Sequence, residues 1–145
     1  SERGRLLAVA VDLVATLATA LGKRFDPLMQ PFAVALLKLC QRPNKVVLNR
    51  AQGCLVTVIK QTRLASIIPF LRDSVKDKSA VLRVVATEAI YLCITTIDAD
   101  KLANKVNDLE LIIKMTGRDA NPEVRKQGRA ILVEFGAKFP DRMAA

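Results

Sequence analysis

The chain has 145 residues, 51% of them hydrophobic and only 4% aromatic, and its 23 Lys and Arg against 14 Asp and Glu give a formal charge of +9. That is the length of one domain with ample material for a core, and positive charge in this excess points to an acidic partner. Histidine is absent, which excludes zinc-hydrolase, Ser-His-Asp and Cys-His chemistry together.

In chain order, Ser1 to Leu21 predicts an apolar helix that Gly22 ends. Its most apolar run, Leu6 to Leu21, carries Asp12 and is 16 residues long, short of the roughly 20 needed to cross a membrane. We read it as the second helix of a pair whose first member precedes it, so that residues 1–145 form a single domain that is the C-terminal part of a longer array. Asp26-Pro27 supplies a cap and a first-turn proline for a helix to about Cys40, in which Pro31 is expected to kink or restart the coil. Gln41 to Asn44 is a tight turn, and Lys45 to about Gln61 is the partner helix.

Leu64 to Val75 is the next first helix, with Pro69 inside it. Lys76 to Ser79 turns the chain, and Ser79 is the expected N-cap of a helix from Ala80 to about Ile97. Asp98-Ala-Asp100 is a short link whose second carboxylate is expected to cap a helix from Lys101 to Thr116. Gly117 and Asp119 to Asn121 lead into the last helix, which Asn121 and Pro122 start and Pro140 stops. Strand-like alternation of useful length is absent.

The last helix places Val124, Gly128, Ile131, Leu132 and Phe135 on one stripe, with Arg125, Lys126 and Arg129 outside it. The same grammar recurs upstream as Leu82, Ala86, Ala89, Ile90 and Cys93, as Val47, Ala51, Cys54, Leu55 and Val58, and as Leu6, Ala10, Leu13, Val14 and Leu17. The four registers start at Ser1, Arg42, Asp77 and Asp119, at spacings of 41, 35 and 42 residues, within the range of helical-pair repeats. The predicted fold is an all-α solenoid of antiparallel helix pairs, about three and a half repeats.

Candidate chemistry is sparse. Cys40, Cys54 and Cys93 fall at apolar helix positions without CxxC or metal-ligand spacing, and read as reduced core thiols of a reducing compartment. The P-loop pattern does not occur, and Gly53, Gly128 and Gly136 read as close helix crossings. Asp98 with Asp100 reads as capping rather than as a catalytic pair, and Tyr91 as packing. Neither an enzyme nor a cofactor is expected.

Positive charge gathers at the turns. Residues 1–10, 40–50, 75–85 and 117–129 hold twelve of the 23 basic residues and only four of the 14 acidic ones, so nearly all of the +9 lies there. Stacked repeats align equivalent turns, and these windows are therefore expected to form one basic ridge. Cations near helix N-termini oppose the macrodipole, which argues for a use beyond solvation. An acidic protein surface fits such a ridge; nucleic acid fits less well, because the turns lack stacking aromatics, and an anionic membrane would prefer a continuous basic helix.

Leu21-Gly-Lys-Arg-Phe-Asp-Pro27, Leu36-Leu-Lys-Leu-Cys40, Arg50-Ala-Gln-Gly-Cys54, Lys76-Asp-Lys-Ser-Ala-Val-Leu-Arg83, Asp119-Ala-Asn-Pro-Glu-Val-Arg125 and Phe139-Pro-Asp-Arg142 together resemble the TOG domains of the CLASP family of microtubule-associated proteins. The resemblance implies HEAT repeats, normally six to a domain, that bind tubulin through the turn inside each repeat. Carried over by position, it implies tubulin contacts at Asn44 and Lys45, at Lys76, Lys78, Ser79 and Arg83, at Arg118, Asn121 and Arg125, and at Arg3 and Arg5. It further implies catastrophe suppression and rescue on cytoplasmic and spindle microtubules, by a domain that is monomeric and has no small-molecule substrate. The alternative reading is a HEAT scaffold for another acidic protein or for nucleic acid.

Overall fold

The computed structural model describes residues 2–143; Ser1, where the first repeat register begins, lies outside them, as do Ala144 and Ala145. Helices α1 (Glu2–Leu21), α2 (Asp26–Leu39), α3 (Lys45–Thr62), α4 (Ile68–Val75), α5 (Ala80–Thr96), α6 (Ala99–Leu102), α7 (Val106–Gly117), α8 (Pro122–Lys138) and α9 (Pro140–Met143) follow in order, and no strand occurs among the described residues. The pairs α2–α3, α4–α5 and α7–α8 pack as hairpins. α1, α3, α5 and α8 lie side by side in one layer, and α2, α4 and α7 in the other. This is the all-α helix-pair stack that the periodicity implies.

The local signals explain most boundaries. Gly22 adopts φ +54 after α1, a left-handed conformation that a β-carbon disfavours, and the chain turns there. Asn44, Ser79 and Asn121 each accept N–H bonds from the first turn of the helix that follows.

Three expectations are corrected. Pro31 lies inside α2, which continues past it without restarting. Pro69 is not within a long helix: a 3₁₀ turn Ala65–Ile67 precedes α4, which places Pro69 in the first turn of α4, where its missing N–H costs no intrahelical bond. The helix expected from Lys101 to Thr116 is broken into α6, a 3₁₀ turn Ala103–Lys105 and α7. Asp98 rather than Asp100 takes the N-cap position, using its backbone carbonyl to receive Lys101 and Leu102 N–H.

The core runs unbroken between the layers. Phe25, Met29, Leu55, Ile59, Ile68, Leu71, Ile90, Ile94, Leu102 and Phe135 are all buried. Cys40, Cys54 and Cys93 are buried free thiols, and burial pushes their pKa up to about 11, 11 and 12. Gly128 makes a true close crossing: a β-carbon there would sit 2.3 Å from Thr116 Oγ1 on α7. Gly53 faces open space instead, and a β-carbon on Gly136 would meet only the Met143 side chain of α9, from 3.4 Å, so neither makes the close crossing expected of it.

Successive repeats are tied by polar links 36 residues apart. Between the α2–α3 and α4–α5 hairpins the links join amides to carboxylates, Gln41 Nε2 to Asp77 at 3.2 Å and Gln52 Nε2 to Glu88 at 2.8 Å. Between the α4–α5 and α7–α8 hairpins they are ion pairs, Arg72 to Asp108 at 2.6 Å and Arg83 to Asp119 at 2.8 Å.

By length and composition the helical run Glu2–Leu39 is apolar enough to cross a membrane, but here α1 packs one flank on α3 through Val11, Val14 and Ala18. Leu6 at 67%, Val9 at 66% and Leu13 at 56% are exposed on α1, and Leu13 with Leu7 and Ala10 lines an apolar groove of about 320 Å³ against Phe32, Ala35 and Leu39 of α2.

Candidate functional site

The turns between paired helices are brought onto one edge. Gln41 reaches from the first turn to Asp77 in the second, and Arg83, which starts at the second turn, reaches Asp119 in the third. α1 joins the same edge: the Cys54 thiol donates to the Val11 carbonyl at 3.4 Å, a register that sets Arg3 and Arg5 level with Val46 and Leu48 at the start of α3.

The structure divides the eleven sequence-named residues into two groups. In the first, the side chains hold the edge together. Asn44 Oδ1 accepts from Val46 and Val47 N–H at 2.9 and 3.3 Å, Ser79 Oγ from Leu82 N–H at 3.2 Å, and Asn121 Oδ1 from Glu123 and Val124 N–H at 2.9 and 3.3 Å.

Arg83 clamps two turns. Its Nη1 donates to the carbonyls of Asp77 and Lys78 at 3.1 and 3.2 Å, and its Nε and Nη2 form a bidentate pair with the Asp119 carboxylate at 2.8 and 3.2 Å. Only 18% of the Arg83 side chain and 9% of Asp119 are exposed. Burial alone raises the Asp119 pKa, but the hydrogen bonds from Arg83 and from the Asn121 N–H, with the charges of Arg83 and Arg125, hold it below the usual carboxylate value. Arg125 repeats the backbone half of this clamp, donating from Nη1 to Asp119 and Ala120 carbonyls at 2.8 and 2.9 Å.

In the second group, Arg3, Arg5, Lys45, Lys76, Lys78 and Arg118 are exposed and, among the described residues, make no ion pair. These are the groups that an approaching surface meets first. Arg42, within the first turn, and Lys126, on α8, share that exposure and that freedom. Both were visible in the charge count, although the family resemblance did not single them out.

The macrodipole expectation needs correction. Lys76 is the C-cap of α4 and Arg118 the C-cap of α7, positions where the dipole favours a cation. A turn that joins a helix C-terminus to the next N-terminus presents both dipole ends, so the edge as a whole does not oppose its positive charge. Lys45, the first residue of α3, and Arg3, in the first turn of α1, have the unfavourable placement in the open.

A rigid edge with fixed spacing and free cations can dock an acidic surface and hold it in register; among the described residues, no three His, Cys, Asp or Glu side chains are grouped as for a metal. Comparison with known proteins adds the lineage. The CLASP N terminal family matches residues 1–145, the whole chain. The chain belongs to that family.

Among its relatives, this CLASP N-terminal chain is 28% identical over 143 residues to a CLIP-associated protein of Arabidopsis thaliana, covering 97% of the chain and 10% of that protein. It is 28% identical over 147 residues to Protein stu-1 of Neurospora crassa, covering 98% of the chain and 13% of that protein. The chain thus spans about a tenth of the length of the curated relatives it matches.

Proposed function

We propose that this CLASP-family chain is a non-enzymatic module that binds tubulin through its turn edge and, on microtubules of the cytoplasm and spindle, suppresses catastrophe and promotes rescue. The observation that supports it is the alignment of three turns by the Gln41–Asp77 and Arg83–Asp119 links, with exposed cations beside each. Lys45, Lys76, Lys78 and Arg118, with Arg3 and Arg5 on α1, make the contacts. Asn44, Ser79, Asn121, Arg83 and Arg125 keep the turns in shape so that those cations engage together. Charge gives steering and register more than raw affinity.

The same reading makes residues 1–145 the C-terminal part of a longer array. The open flank of α1 supports it: Leu6 and Leu13 are exposed, whereas their register equivalents Leu82 and Val124, and Cys54, Ala89 and Ile131, are buried. A preceding helix of the same kind would cover that flank.

The test is co-sedimentation with microtubules at low and moderate salt, comparing wild type with Lys76→Glu/Lys78→Glu/Arg118→Glu. Binding that weakens with salt and is lost in the triple variant supports the reading. Charge reversal at Arg83 or Arg125 is unsuitable, because it would break the clamps. Equal pelleting of both proteins rejects the edge as the docking surface.

A further inference from the structure

The border opposite the turns carries a second concentration of positive charge. α1 and α3 run in parallel from the turn edge, and their 20 and 18 residues place their C-termini about 27 to 30 Å away from it. There the 3₁₀ turn Gly22–Phe25 packs against the end of α3: Phe25 is buried, and a β-carbon on Gly22 would lie 3.9 Å from the Gln61 carbonyl oxygen. This places Lys23 and Arg24 beside Lys60 and Arg63, all four exposed and, among the described residues, without an ion pair. The neighbouring carboxylate of Asp26 is engaged by Ser66 Oγ at 2.7 Å.

Helix C-termini favour cations, but that preference does not account for the patch. α5 ends at the same border without a basic residue in its last turn, and Asp98 and Asp100 follow it. Lys101 and Lys105 balance those two carboxylates, and α8 ends with Lys138 alone in its last turn, so the unbalanced group of four cations is at the ends of α1 and α3. Arg63 adds an independent sign. It is the one non-glycine residue with positive φ, 51°, among the described residues, at the left-handed C-cap position where glycine is the default. The cap closes α3 through the Arg63 N–H bond to the Ile59 carbonyl, a task that glycine would perform without a β-carbon's cost.

The surroundings narrow the ligand. Phe25 is buried, so no aromatic ring is offered for base stacking, and none of the large exposed hydrophobic side chains falls in residues 20–26 or 60–66, so no wedge is offered to a bilayer. Four exposed cations on two adjoining helix ends suit carboxylates carried on an extended chain, where same-side residues recur about every 7 Å. We propose that this far-border patch binds an acidic, extended polypeptide segment, separately from whatever docks on the turn edge.

The experiment is an NMR titration of the ¹⁵N-labelled chain with a decaglutamate peptide. Wild type should show amide shifts clustered at residues 22–25 and 60–64, distinct from any at the turns. In Lys23→Gln/Arg24→Gln/Lys60→Gln/Arg63→Gly that cluster should vanish or require roughly tenfold more peptide, as several exposed charge pairs are lost together. It should persist in Lys76→Gln/Lys78→Gln/Arg118→Gln. Arg63→Gly alone should melt no lower than wild type, since glycine suits the left-handed position, so weaker binding in that variant is not unfolding. The proposal is overturned if wild type shows no shifts at the two helix ends, if the quadruple variant binds there unchanged, or if those segments respond to polyphosphate or phosphatidylserine vesicles and not to the peptide.

Discussion

Replacing Arg83 by alanine separates the residues that build the turn edge from those that face outward on it. The guanidinium makes two hydrogen bonds to the Asp119 carboxylate and two to its own turn's carbonyls, in a pair only 18% and 9% exposed. Its loss leaves a shielded carboxylate with the Asn121 N–H as its remaining hydrogen-bond donor. Bonds to charged groups contribute about 1.5 to 3 kcal/mol, and breaking a fully buried pair costs about 3 to 5 kcal/mol. For this partly shielded pair we expect a loss of about 2 to 3 kcal/mol, a fall in Tm of about 6 to 10 °C at this chain length. Arg125→Ala removes two bonds to backbone carbonyls and a charge near Asp119, and should cost about 1 kcal/mol. Lys78→Ala, at an exposed side chain, should lie within about 0.5 kcal/mol of wild type.

The pH dependence has a definite sign. The Asp119 pKa is lowered in the folded state, so its contribution is present above the unfolded carboxylate value of about 3.9 and is lost as pH falls through the folded value. The gap between wild type and Arg83→Ala should therefore hold from pH 7 down to about 4 and close below that. Urea unfolding across this range measures it. Equal costs for Arg83→Ala and Lys78→Ala, or a gap that widens in acid, would refute the reasoning.

Glycine substitutions should split by site. Gly128→Ala drives a β-carbon to 2.3 Å from Thr116 Oγ1 and should destabilise by about 1 to 3 kcal/mol, whereas Gly53→Ala, in open space, should stabilise by up to about 1 kcal/mol; thermal melts compare them. Asn121→Ala and Asn44→Ala each remove an N-cap and should cost about 1 kcal/mol in chemical denaturation. The thiols of Cys40, Cys54 and Cys93, with pKa pushed up to about 11, 11 and 12 by burial, should react with a thiol reagent at pH 8 only as fast as the chain opens. Rapid labelling of any of them in the native state would contradict the packing.

Much of the architecture was legible because the repeat writes its own punctuation. Asn44, Ser79 and Asn121 stand at equivalent places before equivalent apolar stripes, and capping is a local interaction that residue order reveals. Burial along the stripes was less legible: Leu132 lies on the stripe of α8 yet is 37% exposed, because burial depends on which neighbour covers it. The break between α6 and α7 was hidden for the same reason, since residues 101–105 hold ordinary helix formers and Lys101 and Leu102 bond back to the Asp98 carbonyl. At the edge, the positions of the cations were readable but their tasks were not. Arg83 and Lys78 look alike in a charge count, and only a partner 36 residues away, Asp119, turns one of them into a brace.

The unequal links between hairpins carry a mechanical consequence. Where α3 meets α5 the ties are amide to carboxylate, and a groove of about 230 Å³ opens between the helices; where the next pair meets, the ties are ionic. A load drawn along the stack would not be shared evenly among its joints. Under such a load the Gln41–Asp77 and Gln52–Glu88 seam, which lacks a paired cation, should yield before the ionic one.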